Sequence, residues 1–376
     1  MRPIFTEFQR AAATCLLVSF LLIPPATSCP QTAATNTVDE FIHQLSADAP
    51  NARCEAIVAL ERLGADAVSA APLLVPLLSN NFPAAAAGRA ACVSDFAERA
   101  LLAIGEPAVP ALIAGLQNDD ALVRRRCGDL LGVIKSNDAI AVLVARLSDK
   151  DRDVAVGASV ALSRLGQPAV DSLVNLLQDS LPKIPSDRDT LVTNLIRGNR
   201  VEIVSGPNAS SLLQACGCAI DALGQIDDDR TVEPLLQALG GDSLHLRRAA
   251  AQALHRRSII PGSSPEFLSR EDVVSRLVAA LITGDETMRR MVLALLKRCP
   301  RSAMEPVLAA LQSTDSGKRQ AAFDACSSIF DDPRVAAAAM ERLTFEDDLL
   351  TENGNFEGVS SAIHYLSAHH NADGEW

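Results

Sequence analysis

The sequence predicts an all-α protein, an α-α superhelix (a solenoid) of about nine helical hairpins. Three observations predict it. Hydrophobic residues make up 48% of the 376 residues while aromatics make up 3%, so the apolar content is mostly Ala, Leu and Val, of which the first two are strong helix formers. A segment of the form apolar-apolar-x-x-Leu recurs along most of the chain. Each copy is followed by a short polar turn and a second apolar-periodic stretch, which is the sequence of a helical hairpin.

The N-terminus reads as an export signal over residues 1–28. Arg2 and Arg10 precede an apolar run from Ala11 to Ile23, which Pro24 and Pro25 end. The run is shorter than the about 20 residues a membrane-spanning helix needs. Ala26-Thr27-Ser28 supplies small residues before Cys29, and three readings stay open. These are ordinary cleavage and secretion, lipidation at Cys29 on a relaxed lipobox with Ala26 in the usual Leu place, and a retained anchor. Export predicts a periplasmic or envelope location. A linker is expected over 29–36 and the repeat array over 37–345.

The recurring segments are FIHQL, PLLVPLL, ALIAGL, VLVARL, SLVNLL, PLLQAL, RLVAAL, PVLAAL and AAMERL. They end at Leu45, Leu78, Leu116, Leu147, Leu177, Leu239, Leu281, Leu311 and Leu343, in steps of 33, 38, 31, 30, 62, 42, 30 and 32 residues. The period is near 31, with one large insertion and two smaller ones. The turns often carry Asp, at Asp48, Asp119, Asp149, Asp242, Asp285 and Asp315, and these are expected to cap the second helices. The second helices lead from Arg53 to Leu60, Arg124 to Leu131, Arg247 to Leu254 and Arg289 to Leu296. Gly64, Gly105, Gly166 and Gly224 follow second helices, where a left-handed cap is expected. One hairpin cannot bury both of its apolar stripes, so neighbours must stack.

The stretch IGEPAVPALIAGLQNDDALVRRRCGDLLGVI, Ile104 to Ile134, resembles a HEAT repeat of the bilin-lyase (PBS-lyase) type. Leu165 to Ser180 and Asp228 to Leu254 follow the same pattern, and the resemblance covers roughly residues 37–345. It implies a right-handed superhelix with second helices on the concave side. It also implies that Arg124, Arg247, Arg289 and Arg319 pair with turn Asp residues between repeats. Ala155 and Cys216 replace that Arg in their repeats, so the ladder should break there. HEAT arrays serve many roles, so the resemblance implies fold far more than function.

Residues 178–209 interrupt the array. The stretch LPKIPSDRDTLVTNLIRGNRVEIVSGPNA reads as a loop with a short helix near Thr190 to Ile196, and either a functional loop or a disordered insertion fits it. The tail, 346–376, is acidic and ends in a candidate capping helix near Phe356 to His370. Outside the signal the cysteines are Cys29, Cys54, Cys92, Cys127, Cys216, Cys218, Cys299 and Cys326, most of them beside Ala and Leu, which favours buried thiols over bridges. Cys216 and Cys218 sit about 200° apart on a helix and cannot easily share a ligand.

Enzymatic signatures are sparse. HEAT-type di-iron hydroxylases use His-Glu dipeptides, and the chain has none among its six histidines. No G-x-S-x-G, P-loop, G-x-G-x-x-G, H-E-x-x-H or paired C-x-x-C occurs. A net charge of −12 and a single Trp, at position 376, argue against a nucleic-acid groove. No catalytic residue, cofactor or metal is therefore assigned. His364, His369 and His370 are read as parts of a solvated terminal helix.

One charge pattern points to binding. With the repeat Arg at 0° on its helix and 100° per residue, the buried side carries Ala249, Ala250, Ala253, Leu254, Met291, Val292, Leu295 and Leu296. The open side carries Arg248, His255, Arg256, Arg290, Lys297 and Arg298, with Arg125 in the corresponding place three hairpins before Arg248. Residues 242–301 have net charge +5 and residues 331–376 have −8. The candidate groove is therefore Arg125, Arg248, His255, Arg256, Arg290, Lys297 and Arg298. The expected partner is a protein or acidic peptide, with a polyanion or lipid phosphate as further options; membrane contact is expected only through the N-terminus. The function expected is a non-catalytic protein-binding scaffold of the cell envelope. A cofactor- or metal-dependent enzyme on the same scaffold and a purely structural envelope protein are the alternatives.

Overall fold

The computed structural model describes residues 31–86, 89–184, 207–260 and 266–311, together with Lys318, Ala321, Ala322, Ala325 and Ile329. The signal 1–28, Cys29, the helices expected near 190–196 and 356–370, Arg319, Leu343 and the tail 346–376 lie outside the described residues.

The elements alternate as first and second helices of successive hairpins. First helices are α1 (Gln31–Gln44), α3 (Ala71–Leu74, between the 3-10 turns Gly64–Ala70 and Val75–Ser79), α5 (Val109–Gly115), α7 (Ile140–Arg146), α9 (Gln167–Ser180), α11 (Val232–Leu239), α13 (Glu271–Thr283) and α15 (Pro300–Leu311). Second helices are α2 (Pro50–Leu63), α4 (Val93–Ile104), α6 (Ala121–Ile134), α8 (Arg152–Leu165), α10 (Pro207–Leu223), α12 (Leu244–Ser258) and α14 (Glu286–Leu296). Each second helix packs on the one before and the one after it, in the unbroken order α2, α4, α6, α8, α10, α12, α14. First helices α7, α9, α11, α13 and α15 touch in sequence on the other layer. The fold is the all-α superhelix that the repeat predicts.

The landmark leucines explain the stacking. Leu45, Leu78, Leu116, Leu147, Leu177, Leu239 and Leu281 are all buried between layers, as are Leu60, Leu131, Leu254 and Leu296 from the second helices. Each buried Leu contributes roughly 1.5–3 kcal/mol. The core is one continuous cluster from Val38 to Ile329, so it grows by addition of hairpins rather than around one centre.

Several details differ from the sequence expectation. Residues Pro83–Ala86 (β1) and Arg89–Cys92 (β2) form an antiparallel hairpin with Pro83 opposite Cys92, inside the step from Leu78 to Leu116. Its alanines favour helix, but Pro83 removes a helical donor and the flanking backbone is tied down. The Val93 and Ser94 amides donate to the carbonyls of Phe82 and Asn80 at 3.0 and 2.9 Å. Helix α1 begins at Gln31, within the stretch expected as a linker, and α9 runs on to Ser180, inside the stretch expected as an insertion.

Capping also differs. Asp120, Asp151 and Asp285 cap α6, α8 and α14 with their side chains. Asp119 and Asp149 sit one or two residues too early, and the residues at the α2 and α12 caps are Ala49 and Ser243, not Asp48 or Asp242. Gly64, Gly105 and Gly166 have positive φ of 59°, 71° and 73°, as expected, but with ψ near −130°, a region essentially open only to glycine. Gly224 has no positive φ. A Cβ there would lie 2.6 Å from the Cα of Ala253, so the glycine is required by the close approach of α12. Gly132 meets Ala161 of α8 in the same way, at 2.7 Å.

Candidate functional site

The apolar period of the second helices fixes which side chains face outward. On α12 and α14, Ala250, Ala253, Leu254, Val292, Leu295 and Leu296 are buried, while Arg248, Arg290, Lys297 and Arg298 are exposed. His255 and Arg256 are half-buried. The Nδ1 of His255 is enclosed and makes no hydrogen bond within the described residues.

Most of these cations already have carboxylate neighbours. Arg248 reaches forward from α12 and its Nη2 lies 2.6 Å from Asp285, the cap of α14. Arg256 reaches back to Asp221 on α10 at 3.1 Å. Arg290 pairs with Glu286 one turn earlier at 3.0 Å. Arg125, on α6, lies 3.9 Å from Asp129 and is not brought near the others, because α6 packs on α4 and α8. Lys297 and Arg298, just past α14, have no side-chain ion pair or hydrogen bond with any described residue. The structure therefore gathers Arg248, His255, Arg256, Arg290, Lys297 and Arg298 on two neighbouring helices and the turn just past the second, and leaves Arg125 apart. These pairs are part-exposed, so each is worth only about 0–1 kcal/mol.

The repeat arginines differ among themselves: the pairing with a turn Asp that the resemblance implies is present at Arg124, and among the described residues absent at Arg247 and Arg289. The resemblance implied Arg124 against a turn Asp. Arg124 is buried and holds Asp149 with two bonds, Nε to Oδ2 at 3.0 Å and Nη2 to Oδ1 at 2.8 Å. Its Nη1 also donates to the carbonyls of Asn118 and Asp119, both at 2.9 Å. Arg146 adds a longer contact to Asp149 at 3.4 Å. From beyond the large insertion, Gln214 Nε2 donates to the Asp149 carbonyl at 2.8 Å. One guanidinium thus ties its own turn to the next, and an amide two residues before Cys216 continues the link where the arginine is absent. Burial alone would raise the Asp149 pKa. Hydrogen bonds from Arg124 and the Asp151 amide, with the nearby Arg124 and Arg146 charges, hold it below the ordinary carboxylate value. Hydrogen bonding to Arg230 and to Arg248 likewise lowers Asp228 and Asp285.

Arg247 and Arg289 hold no carboxylate of the described residues. Arg247 donates from Nε to the Leu239 carbonyl at 3.2 Å and from Nη2 to the Thr283 hydroxyl, while Arg289 donates to the Leu281 carbonyl at 3.3 Å. Arg257, counted above only toward charge, is buried. It donates to the Ile226 carbonyl at 2.9 Å and to Asp229 at 2.8 Å, and lies 5.8 Å from the Phe267 ring centre. It is a staple between turns and adds nothing to the open face.

The six described cysteines are free thiols. Burial pushes Cys127 up to about 12 and Cys216, Cys218 and Cys299 up to about 11, which keeps them protonated and unreactive. Among the described residues, no group of three His, Cys, Asp or Glu side chains is placed to hold a metal ion, and no helix is long and apolar enough to cross a membrane.

Residues 109–185 match the family description "HEAT repeats", and residues 219–241 match "PBS lyase HEAT-like repeat". No curated protein matches the chain. Among solved structures, an engineered protein is 20% identical over 89% of this chain and 92% of its own, with a TM-score of 0.32. Human deoxyhypusine hydroxylase in complex with glycerol is 18% identical over 80% of this chain and 98% of its own, with a TM-score of 0.28. The complex of CpcE and CpcF of phycocyanin lyase from Nostoc sp. PCC7120 is 18% identical over 83% of this chain and 99% of that one, with a TM-score of 0.29. Superpositions this loose carry no argument about activity.

Proposed function

We propose, on the premise that this chain carries HEAT repeats of the PBS-lyase-like kind, that it is a non-catalytic scaffold that binds a protein partner. The contact surface is the outward face of α12 and α14, and the work is done in the cell envelope after export. The observation that carries the reading is the stacking of second helices into one continuous row. That row presents Arg248, Arg290, Lys297 and Arg298 together, with Lys297 and Arg298 unmatched by any described carboxylate. A row of this kind offers a long contact surface to an acidic segment, and cations that no described carboxylate holds can meet it without first breaking an internal ion pair.

The pairs on Arg248 and Arg256 decide the choice of test. Reversing Arg248 would break its bond to the α14 cap and confuse folding with binding. K297E/R298E removes two cations that no described carboxylate holds and should leave the melting temperature near that of wild type. Affinity capture from the native envelope followed by mass spectrometry should lose its specific partner with that double variant. Capture of the same partner at undiminished yield would remove this face from consideration.

A further inference from the structure

Two clefts open between successive turns at equivalent places in the array, and the carboxylate that fills the first has no counterpart at the equivalent position of the second. Arg124 follows Leu116 by eight residues and Arg247 follows Leu239 by eight; Asp149 follows Leu147 by two and Thr283 follows Leu281 by two. Thr283 thus stands where Asp149 would, and Ala280 stands where Arg146 would. In the first cleft, about 330 Å³, the Asp149 carboxylate occupies the guanidinium of Arg124. In the second, about 960 Å³, Arg247 meets, among the described residues, only a hydroxyl and a main-chain carbonyl.

We propose that the second cleft is a carboxylate-binding site, in which a ligand supplies to Arg247 the carboxylate that the chain itself supplies to Arg124. The guanidinium has five N–H donors in a fixed fork, and two of them are used by Leu239 and Thr283. No described residue takes the others, which a ligand can use. Arg276, across the cleft on α13, donates through Nη1 to Glu233 at 2.7 Å and keeps further donors of its own. Gly240 and Gly241, which carry no side chain, and the single methyl of Ala280 leave the room. Asp242 also lines the cleft. Asp242 and Glu233 offset the two arginines, so the cleft carries no excess positive charge to hold a multiply charged phosphate or polyanion, and a single carboxylate is held by the geometry of the Arg247 fork. The carboxylate can come from a free dicarboxylic acid or from an acidic side chain of a protein partner. The site is distinct from the outward cations at Lys297 and Arg298 and does not depend on them.

The test uses the full chain and three probes: succinate, a short Glu-rich peptide and inorganic phosphate, followed by thermal shift and calorimetry. Succinate or the peptide should raise the melting temperature and bind with a one-site isotherm, and whichever binds more tightly identifies the source. T283D restores the internal carboxylate. It should raise the melting temperature without any ligand and weaken carboxylate binding at least about tenfold, the size of a lost charge-assisted pair. R247K keeps the charge but removes the fork, and should weaken binding comparably. Equal carboxylate affinity in wild type, T283D and R247K would overturn the proposal. So would phosphate binding in preference to both carboxylates, or no response of wild type to either.

Discussion

At the residue scale, Arg124 is the side chain with most at stake. It is buried with Asp149, and each is the principal counter-ion of the other. Removing one partner leaves an uncompensated charge in the core, which costs about 3–5 kcal/mol, far above any exposed pair in this protein. R124A should therefore lower stability to chemical denaturation by that order, while R290A should change it by less than about 1 kcal/mol. The pH dependence follows from the direction of the Asp149 shift. Its folded pKa lies below the unfolded value near 3.9, so the pair's contribution is fully present above about pH 4 and fades as pH falls through the lower folded value. The gap in stability between wild type and R124A should be widest at neutral pH and shrink in acid. A gap that is flat from pH 7 to pH 3 would show that Asp149 is not the ionised partner. Glu98 and Asp129 act in the opposite sense, since burial raises both.

At the scale of elements, the pattern of first and second helices was legible because it needs only apolar spacing and Leu landmarks, and the landmark leucines from Leu45 to Leu281 are buried. The local rules were less legible. Asp at a turn has several uses, and only the fold decides between a cap, as at Asp151, and a counter-ion, as at Asp149. The outward cations could be placed by helical angle, yet their neutralisation by Asp221 and Asp285 comes from neighbouring helices and leaves no mark in local spacing. The same holds for Gly132 and Gly224, whose reason lies on the facing helix. A methyl group at either would press on the backbone of Ala161 or Ala253. G132A and G224A should each cost about 1–3 kcal/mol by forcing helices apart, despite alanine's better helix propensity. Stabilisation by either substitution, measured by denaturant midpoint, would mean that the helices have slack at that crossing.

For the whole molecule, a linear array has only neighbour contacts, so a disturbance stays near its origin. R124A should raise hydrogen exchange mainly in α6 to α10, and loss of protection in α14 to the same degree would argue for one cooperative unit. The balance of charge also matters at this scale. Net charge is −12, and the positive stretch 242–301 sits within that negative background. Any partner drawn to it should therefore bind more weakly as salt rises.

The bonds across the large insertion have a further consequence. Gln214 holds Asp149, and Ser159 donates to the Cys218 carbonyl at 2.8 Å, so the two sides are joined by side chains and packing as well as by the peptide link. Continuity of the polypeptide is then dispensable at that point. A protease site engineered between residues 190 and 200 should, after cutting, yield two pieces that still migrate together on gel filtration. The same two pieces, produced separately, should find each other and rebuild the whole.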